Sequence, residues 1–314
     1  MIENIFRPDF FASAIRIAVP LALAGLGGVF SELSGVVNIG LEGIMLTCAF
    51  TAVAATNFTG NVGLGILSAA IVGILLGLIH AIVTVTFKAN QIVSGVAINL
   101  FGSGITVFLS WLWFHESQIM VLKNLPYWGL NIPNPGETSS LIRSLIIIFA
   151  HHSPMVYLTI LIVVVSHILI FKTPFGLRMR SVGEYPQAAD TLGINVSNMR
   201  YLAVLISGGL AGLAGSFLSL EQAHYFVKEM SGGRGFIALA AMIFGKWTPF
   251  GTVGAALLFG AGEALAIRLQ GIFTVPVQFI NMVPYALAIF VLVGAIGRAT
   301  APAADGVPYE KELT

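Results

Sequence analysis

The sequence predicts an all-α integral membrane protein of about nine transmembrane helices, some of them short or broken, arranged as two inverted repeats. Three observations carry this. The composition is 57% hydrophobic and only 9% charged, with a mean hydropathy of +0.92, which does not suit a surface built to face water. Apolar runs of about 20 residues, the length that crosses a hydrocarbon core, recur along the chain. Small-residue patterns also recur in one order in the two halves. The net charge of +1 gives no bulk attraction to nucleic acid or to an acidic substrate, so charge is informative only loop by loop. The single cysteine, Cys48, lies in an apolar run and has no partner for an intrachain disulfide.

The first span is residues 12–30, with Arg16 as its only charge. Glu3, Arg7 and Asp9 precede it without a small-residue cleavage site, so the N-terminus reads as a retained interfacial segment. Residues 31–58 form a broken second span, because they begin with the polar, glycine-rich stretch Ser34 to Gly43. Residues 62–87 and 92–114 are unbroken apolar spans, 115–154 a connection, and 155–171 a shorter fifth span. The polar insert 172–200 separates the halves. Beyond it come 201–220, a short run 235–245, then 250–270, 271–297 and the polar tail 299–314. The short run reaches only about 1.5 Å per residue and does not cross alone. Irregular backbone at membrane depth survives only where protein or a wet cavity surrounds it, so both interrupted segments are candidates to border a pathway.

The repeat pairs residues 23–30 with 210–217 and 39–45 with 237–243; Gly65 with Ala69 and Ala70 echoes Gly251 with Ala255 and Ala256, and Ile98-Asn99 echoes Ile280-Asn281. Spans one to four and six to nine then form the inverted halves. Lys172, Arg178, Arg180 and Arg200 place the insert in the cytoplasm. Counting crossings from there puts the tail inside and the N-terminus outside. Arg7 and Arg16 oppose that count, and an N-in arrangement with an extra crossing in 31–58 is the alternative.

The insert is helix-compatible, with small residues at Gly183, Ala188, Ala189 and Gly193 and charges at Glu184 and Asp190. It reads as a short cytoplasmic helix that docks a soluble, energy-supplying partner. Glu42 is the sharpest intramembrane charge, and a buried carboxylate is costly unless paired, hydrogen-bonded or protonated. Either it orients the broken helix or faces the pathway, or it bonds backbone amides freed by neighbouring glycines. Asn38 has the same two readings. Asn99, Asn281 and Gln278 suit either a polar solute or interhelical bonds. Phe236, behind Gly232-Gly233-Arg234-Gly235, suits an external gate at a tight re-entry. Glu263 and Arg268 read as local helix–helix bonds, since no series of carboxylates or histidines accompanies them as a proton relay. His151 and His152 read as a solvated loop end, and no ligand spacing implies a metal. With neither a phosphate-binding Gly-x-x-x-x-Gly-Lys-Ser/Thr loop nor a nucleophile–base pair, the chain does not read as an enzyme.

Residues 31–45 (Ser31-Glu32-Leu33-Ser34-Gly35-Val36-Val37-Asn38-Ile39-Gly40-Leu41-Glu42-Gly43-Ile44-Met45), the insert at 175–194 and residues 232–247 together resemble the permease subunits of bacterial ABC importers. The resemblance is to the nucleoside-type branch of the ribose and branched-chain amino-acid permease superfamily, and it runs from about residue 12 to 298. It implies a bacterial plasma (inner) membrane location, a second homologous permease, an ABC ATPase that carries ATP and Mg, and an extracellular or periplasmic substrate-binding protein. It also implies that this chain binds no cofactor itself. Members with the sequence of residues 36–43 are associated with nucleosides, whereas ribose permeases carry an Ile-Asp-Leu-Ser type sequence there. The rival reading is a secondary transporter driven by an ion gradient, to which inverted repeats and broken helices also belong.

Overall fold

A computed structural model describes residues 7–123, 128–129, 140–270, 279, 282, 286 and 299–311. The helices are α1 (Pro8–Leu33), α2 (Leu41–Thr59), α3 (Val62–Ala81), α4 (Gln91–Phe114), α5 (Ser140–Leu145), α6 (Pro154–Lys172), α7 (Pro174–Glu184), α8 (Pro186–Thr191), α9 (Val196–Phe217), α10 (Arg234–Phe244) and α11 (Pro249–Gln270). Single π-helical stretches extend α3 to Thr86, α5 to Ala150 and α9 to Ala223. Seven of the described helices are long and apolar enough to cross a membrane, and the chain is a multi-pass membrane protein. They coincide with the spans read at 12–30, 31–58, 62–87, 92–114, 155–171, 201–220 and 250–270, while α10 is the short run. The expected last span, 271–297, lies outside the described residues except at three isolated positions.

Helix starts follow local chemistry. Asn61, Asn90, Thr173 and Asn195 each accept hydrogen bonds from backbone N–H groups in the first turn of α3, α4, α7 and α9. Pro8, Pro154, Pro174 and Pro186 occupy first positions, where a missing N–H costs nothing.

The interior is built from α1, α2 and α9, which are mostly buried, while α3, α4 and α6 turn most of their surface outward as lipid-facing helices do. Small residues let the backbones touch. A Cβ on Gly73 of α3 would stand 2.2 Å from the carbonyl oxygen of Gly208 in α9, so neither position admits a side chain without separating the helices.

Two faces are defined by contacts. On one, called here the tail face, the ends of α1 and α3 and the segment α7–α8 meet residues 299–311. On the opposite hairpin face, β1 (Gln118–Met120) pairs antiparallel with β4 (Tyr225–Val227), and Asn57 at the end of α2 bonds Met120 and Leu122. The connection 115–154 is therefore partly structured; its β2 (Trp128–Gly129) pairs with β3 (His151–His152). His152 is buried and its Nε2 lies 2.8 Å from the Ile148 carbonyl, so it is not a solvated loop end. Residues 31–58 hold the end of α1, a non-helical break at 34–40 and one helix, with no second crossing. Pro8 consequently lies on the face opposite the tail.

Candidate functional site

The break between α1 and α2 is held open by side chains from other helices. Gln91 accepts from the Val37 N–H at 2.7 Å, and the Asn38 amide donates to Ser207 Oγ at 3.1 Å. Asn99 of α4 bridges the break: its Nδ2 donates to the Ile39 carbonyl and its Oδ1 accepts from the Gly43 N–H, at 3.1 and 2.8 Å. One asparagine thus supplies a donor and an acceptor to backbone groups that lack helical partners. Asn38 is fully buried, and its Oδ1 has no hydrogen-bond partner among the described residues.

Released from α1, the chain starts α2 with Glu42 in its first turn. That carboxylate does not bond amides freed by its own glycines. It reaches across the molecule to α10, where Oε1 accepts from the Gly233 N–H at 2.8 Å and Oε2 from the Gly235 N–H at 2.6 Å. These are orphan donors at the start of a helix, where a negative charge is favoured by both the hydrogen bonds and the aligned peptide dipoles. Gly233, with φ 83°, takes the left-handed conformation that lets the chain turn into α10. Gly235 must be glycine because a Cβ there would lie 2.5 Å from the Glu42 N atom. Two helix N-termini, α2 and α10, therefore meet nearly backbone to backbone around one carboxylate.

The depth of this junction follows from geometry. The 11 residues of α10 give it a length of about 16 Å, and its far end lies near the tail face, where Trp247 Nε1 donates to Glu32 Oε2 at 2.7 Å. The junction thus lies about 16 Å along α10 from its end at the tail face. Arg234, beside it, forms a 2.5 Å ion pair with Glu263 of α11, the local helix–helix bond read from the sequence. Phe236 is half exposed one turn along α10. Asn281 and Gln278 lie outside the described residues.

The insert differs from a single helix over 183–193. It comprises α7 and α8, broken at Tyr185. Gly183 and Ala189 face inward; a Cβ on Gly183 would stand 2.2 Å from the Leu33 carbonyl at the end of α1, so its smallness serves this chain's own packing. Ala188 is half-buried, Glu184 and Gly193 are exposed, and Leu177, Tyr185 and Leu192 present large apolar surfaces outward. Gly193 has φ 81° and follows the turn that ends α8.

Sequence reasoning missed the tail. The Ala304 N–H donates to the Gly183 carbonyl at 2.9 Å, Ala303 N–H to Glu184 at 3.4 Å, and Lys311 pairs with Asp190 at 3.3 Å. Arg200, counted among the insert's basic residues, is almost fully buried and donates to the Val307 carbonyl at 2.9 Å. Burial raises the Asp305 carboxyl to about 7, opposed by the Gly306 N–H, the Arg200 charge and the Glu32 carboxyl. The tail is a strap over the insert, the break and the start of α9. A polar, proline- and glycine-bearing end gives no periodic signal, so only the buried arginine hints at it.

Among the described residues no group of histidine, cysteine and acidic side chains is placed to hold a metal ion. The chain is 46% identical over 303 residues to the guanosine ABC transporter permease protein NupQ of Bacillus subtilis (strain 168), covering 94% of both chains. It is 41% identical to the nucleoside ABC transporter permease protein NupC of Lactococcus lactis subsp. cremoris (strain MG1363), covering 96% of each. It is also 26% identical to a second Bacillus subtilis protein, the guanosine ABC transporter permease protein NupP, over 90% of this chain and 80% of that one. Residues 10–292, which include the break, the α2–α10 junction and the insert, match the family described as branched-chain amino acid transport system / permease component, and the chain belongs to that family.

Proposed function

We propose that this chain is one of two homologous permease subunits of an ATP-driven nucleoside importer in a bacterial plasma membrane. The observation that carries the substrate class is the end-to-end similarity to permeases named for guanosine and for nucleosides. Similarity to both NupQ and NupP, from one organism, supports a second, homologous permease as partner. Family membership favours this reading over an ion-gradient carrier.

In this reading the tail face is cytoplasmic, and a partner ATPase holding ATP and Mg docks on α7–α8. Ala188 and Glu184 lie at its contact surface, while Gly183, Ala189 and Gly193 fix the backbone that presents it. A substrate-binding protein delivers solute at the hairpin face. Asn38, Glu42, Asn99 and Phe236 border the moving part of the path, with Asn281 at the repeat-equivalent place of Asn99. The reading keeps nine spans in two inverted halves, and the packing of the described helices supports the halves. Gly25 and Gly212 are repeat-equivalent; a Cβ on Gly25 of α1 would meet Thr252 of α11, and one on Gly212 of α9 would meet Ala69 of α3.

The test is uptake of labelled nucleosides by proteoliposomes holding the whole complex purified through this subunit. Uptake should require ATP inside and rise with the loaded binding protein. Uptake that survives ATP depletion and collapses with the ion gradient would establish the carrier reading instead.

A further inference from the structure

The strap formed by the tail belongs to no helix or strand, yet it joins four separate parts of the tail face. Ala304 is wedged between two of them. Its N–H donates to the Gly183 carbonyl in α7 at 2.9 Å, and its own carbonyl oxygen would stand 3.0 Å from a Cβ on Gly35 at the start of the break. A shift of α7 relative to the break therefore cannot leave Ala304 where it is. Further along, Val307 is held by Arg200 of α9, Glu310 pairs with Lys88 in the connection between α3 and α4, and Lys311 pairs with Asp190 in α8.

The grip is weak for its reach. Both ion pairs are largely exposed, and pairs of that kind contribute little to stability. The inner anchor carries costs of its own: Arg200 Nε and Nη2 are buried with no hydrogen-bond partner among the described residues, and Asp305 is packed against the Glu32 carboxyl. Lifting the strap gives these donors access to water and separates two acids, which offsets the hydrogen bonds that are lost. A segment whose docked and lifted states are so nearly balanced is a two-state element that a partner acting on α7–α8 can bias.

We propose that residues 302–311 are a regulatory latch: docked, they pin α7–α8 to the break and keep ATP hydrolysis low until a loaded binding protein engages, and they lift from the break in each transport cycle. This rests on the importer reading above, in which the ATPase meets α7–α8 and the break borders the path. A push on α7 moves the Gly183 carbonyl, and with it the one hydrogen bond that ties Ala304 to that helix. The strap then either blocks the movement or leaves its seat. Holding it down should therefore stop transport, and loosening it should release hydrolysis from control by the binding protein.

The test ties the strap down at a point outside α7–α8. Lys88→Cys and Glu310→Cys are combined in the Cys48→Ser background, and a short, reducible bis-thiosulfonate linker joins the pair in the whole complex. Each single-cysteine variant, treated alike, is the control. In proteoliposomes the linked complex should keep its unstimulated ATP hydrolysis but lose nucleoside uptake and the stimulation by loaded binding protein, and reductant should restore both. Uptake by the linked complex equal to that of the controls overturns the latch and makes the strap a fixed part of the fold. Failure of the linker to join the two cysteines in the resting complex overturns the docked state. Lys88→Glu with Lys311→Glu turns both ion pairs into repulsions at the surface, and unstimulated hydrolysis should rise several-fold; an unchanged rate overturns the inhibitory role. ATP-dependent uptake that the linker does not affect refutes the latch and leaves the transport reading standing, whereas no ATP-dependent uptake by the unaltered complex refutes both.

Discussion

Removing the Glu42 carboxylate tests whether the junction of α2 and α10 rests on one side chain. Its two bonds, at 2.8 and 2.6 Å, link residues 191 and 193 positions apart. Hydrogen bonds to an ionised group contribute about 1.5–3 kcal/mol each, and leaving a buried donor unpaired costs about 1–3 kcal/mol. The charge also faces a helix N-terminus, worth about 0.3–1 kcal/mol. Glu42→Ala vacates both N–H groups, so the loss is about 2–6 kcal/mol; partial exposure of the site favours the lower half. Glu42→Gln keeps one acceptor oxygen but sets its NH2 against the other N–H, for a loss of about 1–3 kcal/mol. Thermal inactivation of the detergent-purified complex at one fixed heating rate reads the order, because unfolding of such assemblies is irreversible. Wild type should outlast Gln, and Gln should outlast Ala, with uptake falling in the same order. An alanine variant as heat-resistant and active as wild type would refute the reasoning, as would Gln performing worse than Ala.

Three further outcomes are expected. Ala188→Trp should abolish uptake and weaken ATPase stimulation while assembly with the second permease survives, because overpacking an interface costs about 1–3 kcal/mol; normal uptake at normal complex levels would remove α8 from the docking surface. In a Cys48→Ser background, cysteines at Ser181 and Thr300 should resist an impermeant thiol reagent applied outside intact cells, and labelling of either would invert the assignment of the tail face. The strap should loosen with rising pH. Asp305 has a docked pKa of about 7, above the ordinary carboxylate value near 3.9, so its contribution is present below about pH 4 and is lost as pH climbs through 7. Amide exchange at residues 303–309 should be slower at pH 6 than at pH 8 after correction for intrinsic rates, and equal corrected rates would count against the buried carboxyl.

How much of this was legible in the sequence depends on whether a feature is local. Spans, the break before Leu41 and the short α10 follow from apolar run length and from Ser34 to Gly43, all of which lie within one window of the chain. Seven crossing helices fall where those windows put them. The need for Glu42 to be satisfied was equally legible, because burial without a partner is too costly for a carboxylate. Its partner was not. The donors lie 191 and 193 residues away and are backbone N–H groups, which every residue but proline carries, so no side-chain pattern marks them. Gly233 and Gly235 did carry the information in another form. Read from sequence, they permitted a tight re-entry; in the fold, one supplies the left-handed turn and the other the space for Glu42. Arg200 shows the same limit from the opposite side. Counted among loop charges it located a face of the membrane, whereas its burial against the Val307 carbonyl required the strap. A glycine or a charge in such a chain therefore states that something must come close or be satisfied, and the identity of that partner is settled only when distant segments are brought together.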